Sequence, residues 1–257
     1  MKRALVALVL VALAAGCGGG GSKSSSSSSS DTSSSSSSSR TASELAADTE
    51  TAKAALLMLS DLPNGWESKA RTDTQVDAST KKDLTRRFAG CLGANAAFVN
   101  EDDTSGAKAK TDKFTDSHNL AVEEDVSIQA SSSELSAALV ALNKPEAPGC
   151  FADLLKALLK YGLENPAPGS TIPSSVSIAD PTVGSVNLTG LPGGSRALRV
   201  TLPVSLGKLT VNFFADIVLI GAGRAEVTLT FDNVGEPFPV DLETQLIKTA
   251  VGRLPAT

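Results

Sequence analysis

Two segments decide the fold: Leu209-Thr210-Val211-Asn212-Phe213-Phe214-Ala215-Asp216-Ile217-Val218-Leu219-Ile220, and Ala225-Glu226-Val227-Thr228-Leu229-Thr230-Phe231, which follows across Gly221-Ala222-Gly223. The second alternates apolar and polar residues, the pattern of a strand with one buried face. The first is a longer, mostly apolar run of strand-forming residues. A short glycine-rich link between two such segments reads as a hairpin turn. Gly221-Ala222-Gly223 also looks like half of a dinucleotide-binding loop, but that motif must open a helix, and a second strand follows here.

Working outward, the period of two begins near Ser174. Val176 and Ile178, then Val183, Val186 and Leu188, then Leu198, Val200 and Leu202 read as strands, with turns at Pro192-Gly193-Gly194 and near Gly207. Links this short make neighbours antiparallel, because a parallel pair needs a crossover of about a dozen residues or more. Elsewhere the period is helical. Thr41 and Glu44 form a capping box ahead of Leu45, Thr49, Ala52, Leu56 and Leu59, and the helix stops at Leu62-Pro63-Asn64-Gly65. Trp66 to Arg71 reads as a first strand, and a second helix near Thr80 carries Leu84, Phe88, Cys91 and Leu92 inward, with Gly93 as its stop. Strands follow near Phe114 and over Leu120–Ile128. Ser131 and Glu134 cap a helix with Leu135, Ala138, Leu139 and Leu142 on one side; after Pro145 and Pro148, Cys150 opens another, with Phe151, Leu154, Leu155, Leu158 and Leu159. Val240 to Leu254 is the last. The class is α+β: an antiparallel sheet of about five to seven strands flanked by amphipathic helices.

The first 40 residues have a different character. Lys2 and Arg3 precede an apolar run, Ala4 to Ala15, closed by Gly16 and Cys17. A charged start, roughly 7–15 apolar residues and small residues at the end make a secretory signal peptide, and the run is shorter than the roughly 20 residues that span a bilayer. Leu13-Ala14-Ala15-Gly16-Cys17 resembles the bacterial lipobox, although Leu13 stands one position further from the cysteine than the usual pattern has it. The resemblance implies cleavage before Cys17 and a diacylglyceryl thioether on it, and two acyl chains hold a membrane stably. Gly18 to Arg40 is mostly glycine and serine, with the seven-serine runs Ser24–Ser30 and Ser33–Ser39 split by Asp31-Thr32. With nothing to bury, it reads as a disordered spacer of root-mean-square span about 25–30 Å. The expected organisation is therefore a lipoprotein signal peptide over 1–16, a lipidated cysteine and Gly/Ser-rich tether over 17–40, and one extracytoplasmic domain over 41–257.

The net charge of −5 becomes −7 when Lys2 and Arg3 leave with the leader. That charge, and the absence of basic residues interleaved with aromatics, argues against nucleic acid. With Cys17 acylated, Cys91 and Cys150 remain, and an even pair in an exported chain reads as a disulfide. No cofactor or metal set emerges. His118, the one histidine, sits in Asp116-Ser117-His118-Asn119 and reads as a surface residue; no Gly-x-Ser-x-Gly elbow accompanies it. Ser205-Leu206-Gly207-Lys208 has the Ser-x-x-Lys spacing of penicillin-binding enzymes but falls in a hairpin instead of a helix start. Asn100-Glu101-Asp102-Asp103 and Glu123-Glu124-Asp125 lack the Ca²⁺-loop spacing and read as a solvated loop and a strand edge. Asn187-Leu188-Thr189 fits a glycosylation acceptor, incidental in a bacterial chain. Carboxylates alone can hydrolyse glycosides, yet nothing selects a pair, so an enzyme is not expected.

Taken together, the leader, the Ser-rich tether, the helix running into Asp61-Leu62-Pro63-Asn64-Gly65-Trp66, the cysteine after the second helix, the strand and helix before the second cysteine, and the closing hairpin and helix resemble actinobacterial sensor-type lipoproteins. These include the extracytoplasmic sensor domains of transmembrane Ser/Thr kinases and lipoproteins with a Mog1/PsbP-like fold. Those sensor domains often carry two disulfides, whereas this chain has cysteines for one. The resemblance implies a lipid-anchored binding or sensor-type module on the extracytoplasmic face of the bacterial membrane. Its partners would be the membrane through Cys17 and a small molecule, a lipid or an envelope protein. A carrier of lipid or another apolar molecule in an internal cavity is the alternative expectation, and a structural envelope protein a further one.

Overall fold

The computed structural model describes residues 40–71, 76–94, 107–166 and 175–255. Cys17, the leader, the tether to residue 39 and the acidic run Asn100–Asp103 lie outside the described residues, as does most of the Asn165–Gly169 loop. The element order is α1 (Ala42–Ala55), a 3-10 turn (Leu59–Asp61), β1 (Glu67–Lys69), α2 (Ala78–Cys91), β2 (Ala107–Lys110), β3 (Lys113–Thr115), β4 (Ala121–Ile128), α3 (Ser132–Leu142), α4 (Ala147–Glu164), β5 (Val176–Ile178), β6 (Thr182–Ser185), β7 (Arg196–Leu206), β8 (Leu209–Ala222), β9 (Ala225–Val234) and α5 (Val240–Arg253).

The class is α+β with one antiparallel sheet, ordered β1-β3-β4-β9-β8-β7-β5, with β2 also on β4 and β6 also on β7. Among the described residues it has nine strands where the period suggested five to seven. The excess comes from two interrupted neighbours. β3 pairs with the start of β4 and β2 with its end; β5 and β6 divide the outer side of β7 in the same way. Such short segments carry too few residues to show a period. The β7–β8–β9 meander is the regular part. Gly207 takes φ +64° in the first of its turns, a conformation only glycine adopts without strain. The second turn sits two residues later than the sequence suggested. β8 runs through Ala222, which pairs with Ala225, so Gly223-Arg224 makes the turn and Gly221 belongs to the strand.

Alternation along each strand sorts residues to two faces. On one, Val122 and Val126 of β4, Val227, Leu229 and Phe231 of β9, and Val218 and Ile220 of β8 pack against α1, α5, Trp66 and Phe238. Burying each such aliphatic side chain stabilises by about 1.5–3 kcal/mol. On the other face, Val200, Ala215, Ile217 and Leu219 meet Leu92, Ala147 and Leu155 of the α2–α4 layer. Phe88 and Phe151 meet edge-on at 4.9 Å beside them.

The helix starts are locally encoded. Thr41 caps α1, with the Glu44 amide donating to its hydroxyl (3.2 Å) and the Thr41 amide donating to the Glu44 carboxylate (2.7 Å). Asp77 caps α2 by accepting from the Ser79 and Thr80 amides. Three details differ from the sequence reading. α1 ends at Ala55, so Leu56 and Leu59 lie beyond it, because the Leu57 amide turns aside to Glu124 Oε2. α4 starts at Ala147 and takes Pro148 into its first turn, where a missing N–H costs nothing. Val186 and Leu188 lie past the end of β6 and pack against the α1–α5 core, although the Val186 amide still donates to the Ala197 carbonyl of β7 at 3.0 Å.

Candidate functional site

The disulfide joins Cys91 at the end of α2 to Cys150 in the first turn of α4, with Cα atoms 5.8 Å apart. Cys150 is buried but Cys91 is exposed, so the bridge is not wholly internal as its place on the apolar side of α2 suggested. A helical periodicity assigns a face, and Cys91 lies at the helix end, where the face runs out.

Glu123-Glu124-Asp125 departs furthest from expectation. The segment is no solvated edge: β4 is an inner strand between β3 and β9, and Glu123 and Glu124 are buried. Glu123 and Asp125 point to the α2–α4 side of the sheet, where Arg71 and Lys113 meet them. Arg71 Nε donates to Glu123 (2.7 Å), and its two terminal nitrogens form a fork with Asp125 (both 2.9 Å). Lys113 Nζ bridges Glu123 (2.8 Å) and Asp232 of β9 (3.1 Å). Three carboxylates thus share two cations. Asp232 Oδ1 is left buried without a partner, and burial, opposed by Lys113, pushes its carboxyl up to about 6. Arg71, Glu123 and Asp232 are each at least nine-tenths buried as side chains. The network is closed by its own pairs and works as a clamp that fixes the stretch after β1, and β3, to the inner strands.

On the opposite face Glu124 accepts from the Leu57 amide at 2.5 Å, beside Arg253 and Asp61. Arg253 donates to the Leu56 carbonyl and to Asp61 (2.7 Å), and Asp61 also accepts from the Met58 amide. Asp61, Gly65 at φ +95° and Trp66, its ring tilted against Phe238 at 6.5 Å, give the Asp-Leu-Pro-Asn-Gly-Trp run its structural role: it ties the end of α1 to the end of α5.

The residues weighed for catalysis stay apart. His118 is exposed in a turn, and the nearby Asp116 carboxylate is taken by the His118 and Leu120 amides. Ser205 shares a hydroxyl hydrogen bond with Thr210 across the β7–β8 hairpin, and Lys208 is at the turn. Among the described residues no group of three or more His, Cys, Asp or Glu side chains is set to hold a metal ion.

What remains is concave surface. A groove of about 880 Å³ runs between α3, the Gly193-Gly194 loop and the β8–β9 hairpin. Leu135, Leu139 and Val140 supply apolar surface and Ser132, Ser133 and Ser136 supply hydroxyls. α3 lies close to the sheet here because Gly221 has no side chain: a Cβ at 221 would collide with Leu139 Cδ1. Asn143 Nδ2 fixes the other wall by donating to the Gly194 carbonyl at 2.8 Å. Lys144 also lines the groove, but its ammonium is held by the Leu92 carbonyl. A smaller depression of about 560 Å³ along α5 is lined by polar side chains such as Thr189, Gln245 and Lys248. The Gly223-Arg224 turn that borders the α3 groove also lies beside Arg40: Asp48 accepts from both Arg40 and Arg224, and Arg40 reaches the Ile128 carbonyl.

Fold and groove define a class: an antiparallel α+β scaffold, stapled by a disulfide, with an open apolar groove at the end where the N-terminal segment enters. No helix among the described residues is long and apolar enough to cross a membrane. No family model and no curated protein matches the chain.

Proposed function

We propose that this chain is a lipid-anchored extracytoplasmic binding module of the bacterial envelope, akin to the sensor-type lipoproteins that its leader, tether and element order resemble. Cys17 carries the anchor, the Gly/Ser segment spaces the domain from the membrane, and the α3 groove receives the ligand. The groove is the observation that carries this reading. Its volume lies within the roughly 300–1,000 Å³ of small-molecule sites, and a few polar groups rim an apolar floor, as such sites require.

Expression of the full chain in a bacterial host tests the anchor. Detergent phase partition should place the wild-type protein in the detergent phase and Cys17→Ser in the aqueous phase. Mass spectrometry should find acylated Cys17 at the mature N-terminus. Aqueous partition of wild type, or a mature N-terminus lacking Cys17, overturns the anchored reading. Saturable ligand binding that is lost when the groove is altered supports the binding role, whereas steady hydrolase turnover would replace it.

A further inference from the structure

Glu243 stands at the start of α5, fully buried, with a hydrogen-bond partner for neither carboxylate oxygen. Two charged groups of the sheet face it. Asp216 of β8 is buried and is forked by Arg199 of β7, whose Nε and Nη2 donate at 2.7 and 2.5 Å. The Arg199 side chain is 28 % exposed, so the cluster reaches solvent along the guanidinium. The neighbouring elements hold their charges elsewhere. On α5 itself Asp241 and Lys248 are exposed, and Glu124, Asp61 and Arg253 gather at the far end of the helix. On α1, Asp48 belongs to Arg40 and Arg224. The loop from Val186 to Ser195, packed on the same core through Leu188 and Leu191, contains no titratable residue.

A carboxylate so placed has neither water nor a donor. Burial, with Asp216 adding to it and Arg199 opposing, raises the Glu243 carboxyl to about 8, so below that pH it is a neutral acid. Ionisation sets a second negative charge beside Asp216. A guanidinium has five N–H donors, and two of these are on Asp216, which leaves Arg199 as the counter-ion for the new charge. Meeting it requires movement, because neither Glu243 oxygen now lies within reach of a donor. β7 and β8 are held in register along the whole of β7. α5 is pinned at its far end, where Arg253 donates to the Leu56 carbonyl and to Asp61. The near end, with Val240 54 % exposed, is the one free to pivot. That end also walls the 560 Å³ depression opposite Thr189.

We propose that the Glu243 proton is a latch on α5: with it the first turn lies closed on the sheet, and without it the turn pivots toward Arg199 and water and reshapes the depression beside Thr189. The device is independent of the anchor and of the α3 groove. It carries its own reporter. Trp66, the one tryptophan, lies 6.5 Å from Phe238, which stands two residues before α5 and 5.1 Å from Phe231.

The test is a titration of Trp66 emission in the full chain from about pH 6 to about pH 9.5, bracketing the value for Glu243. Glu243→Gln keeps the shape and removes the titration. Glu124→Gln, at the other raised carboxyl of this face, is the control. Asp216→Asn removes the like charge and frees Arg199 for Glu243. The expected result is a reversible transition near pH 8 in wild type and in Glu124→Gln, absent from Glu243→Gln and shifted down by about one pH unit in Asp216→Asn. Above the midpoint, protection of the Glu243 to Gln245 amides, taken against the intrinsic exchange rate at each pH, should fall about tenfold while Ala52 and the sheet keep theirs. A flat wild-type titration, or a transition that survives in Glu243→Gln, overturns the proposal. So does loss of far-ultraviolet circular dichroism at the same midpoint, which would make the proton a condition of the whole fold. An unmoved midpoint in folded Asp216→Asn overturns it as well; if that variant does not fold, the Glu243→Gln titration decides alone.

Discussion

The two faces of the sheet bury carboxylates in opposite ways. On the α2–α4 side, Glu123, Asp125 and Asp232 are met by Arg71 and Lys113. On the α1–α5 side, Glu243 is fully buried with both oxygens unpartnered, and Glu124 has one oxygen unpartnered. Burial raises the Glu243 carboxyl to about 8, Asp216 adding to it and Arg199 opposing, and raises Glu124 to about 7, the Leu57 amide opposing. A buried charge costs several kcal/mol, and an interior group either finds a counter-ion or gives up its charge. The first face took the counter-ion and became a rigid polar clamp. The second is mixed: Asp216 is forked by Arg199 and Asp48 is held by Arg40 and Arg224, while Glu243, with no partner for either oxygen, keeps its proton. The difference teaches that burial by itself does not set the state of an acid; whether a donor comes within hydrogen-bond reach of its oxygens does.

The largest expected effect comes from making the first face resemble the second. Arg71→Met leaves Glu123 buried and short of charge, a change that costs roughly 3–5 kcal/mol when one partner of a buried pair is removed. Urea unfolding at pH 7 measures it, and a loss below 1 kcal/mol would show that Lys113 alone suffices. Next is the covalent staple on that same side. Replacing Cys91 and Cys150 together by Ser releases the constraint on a 59-residue separation and should cost roughly 2–4 kcal/mol. The loss should appear first as faster hydrogen exchange in α2, whose apolar contacts are chiefly with α4. Uniform exchange across the sheet would speak against a local staple.

The second face is sharpened by pH. A carboxyl raised on folding binds its proton more tightly in the native state, so its contribution is complete below about 4.5 and is lost as pH rises toward the native value. For Glu243 that window runs up to about 8. Glu243→Gln keeps the shape without the proton. It should flatten the fall in stability between about pH 5 and 8 by close to one proton, about 1.4 kcal/mol per pH unit. A variant whose pH profile matches wild type would mean that Glu243 is ionised and solvated in the native protein.

The same contrast shows what the chain makes legible. The meander was readable because β7 and β9 keep their period over ten or more residues, β8 between them is a long strand-forming apolar run, and Gly207 marks a turn. Glu123-Glu124-Asp125 was not, since a period-two reading assigns polar residues outward. Their cations come from Arg71, 52 residues earlier, and from β3, which is three residues long. The Cys91–Cys150 pair followed from counting, but the exposure of Cys91 depends on where α2 stops. The groove left one trace in the sequence, Gly221 inside an apolar strand, a mark of close approach by another element. It was absorbed into the turn because Gly223 lies two residues on. The element that approaches, α3, could be predicted; its place against Gly221 depends on tertiary packing that no local period records.

The smallest effect tests where the tether meets the fold. Thr41→Ala removes the hydroxyl that accepts from Glu44, and loss of such a cap costs about 1 kcal/mol. The loss should stay local. Asp48, about two turns into α1, is held by Arg40 and Arg224 together, so the helix is pinned to the β8–β9 turn independently of its cap. Amides of the first turn should then exchange faster in Thr41→Ala while Ala52, Ala55 and the sheet keep their protection. If protection falls along the whole of α1, the cap and not the Asp48 clasp holds the helix. The Arg40 and Arg224 contacts to Asp48 would then add nothing measurable to the attachment of α1.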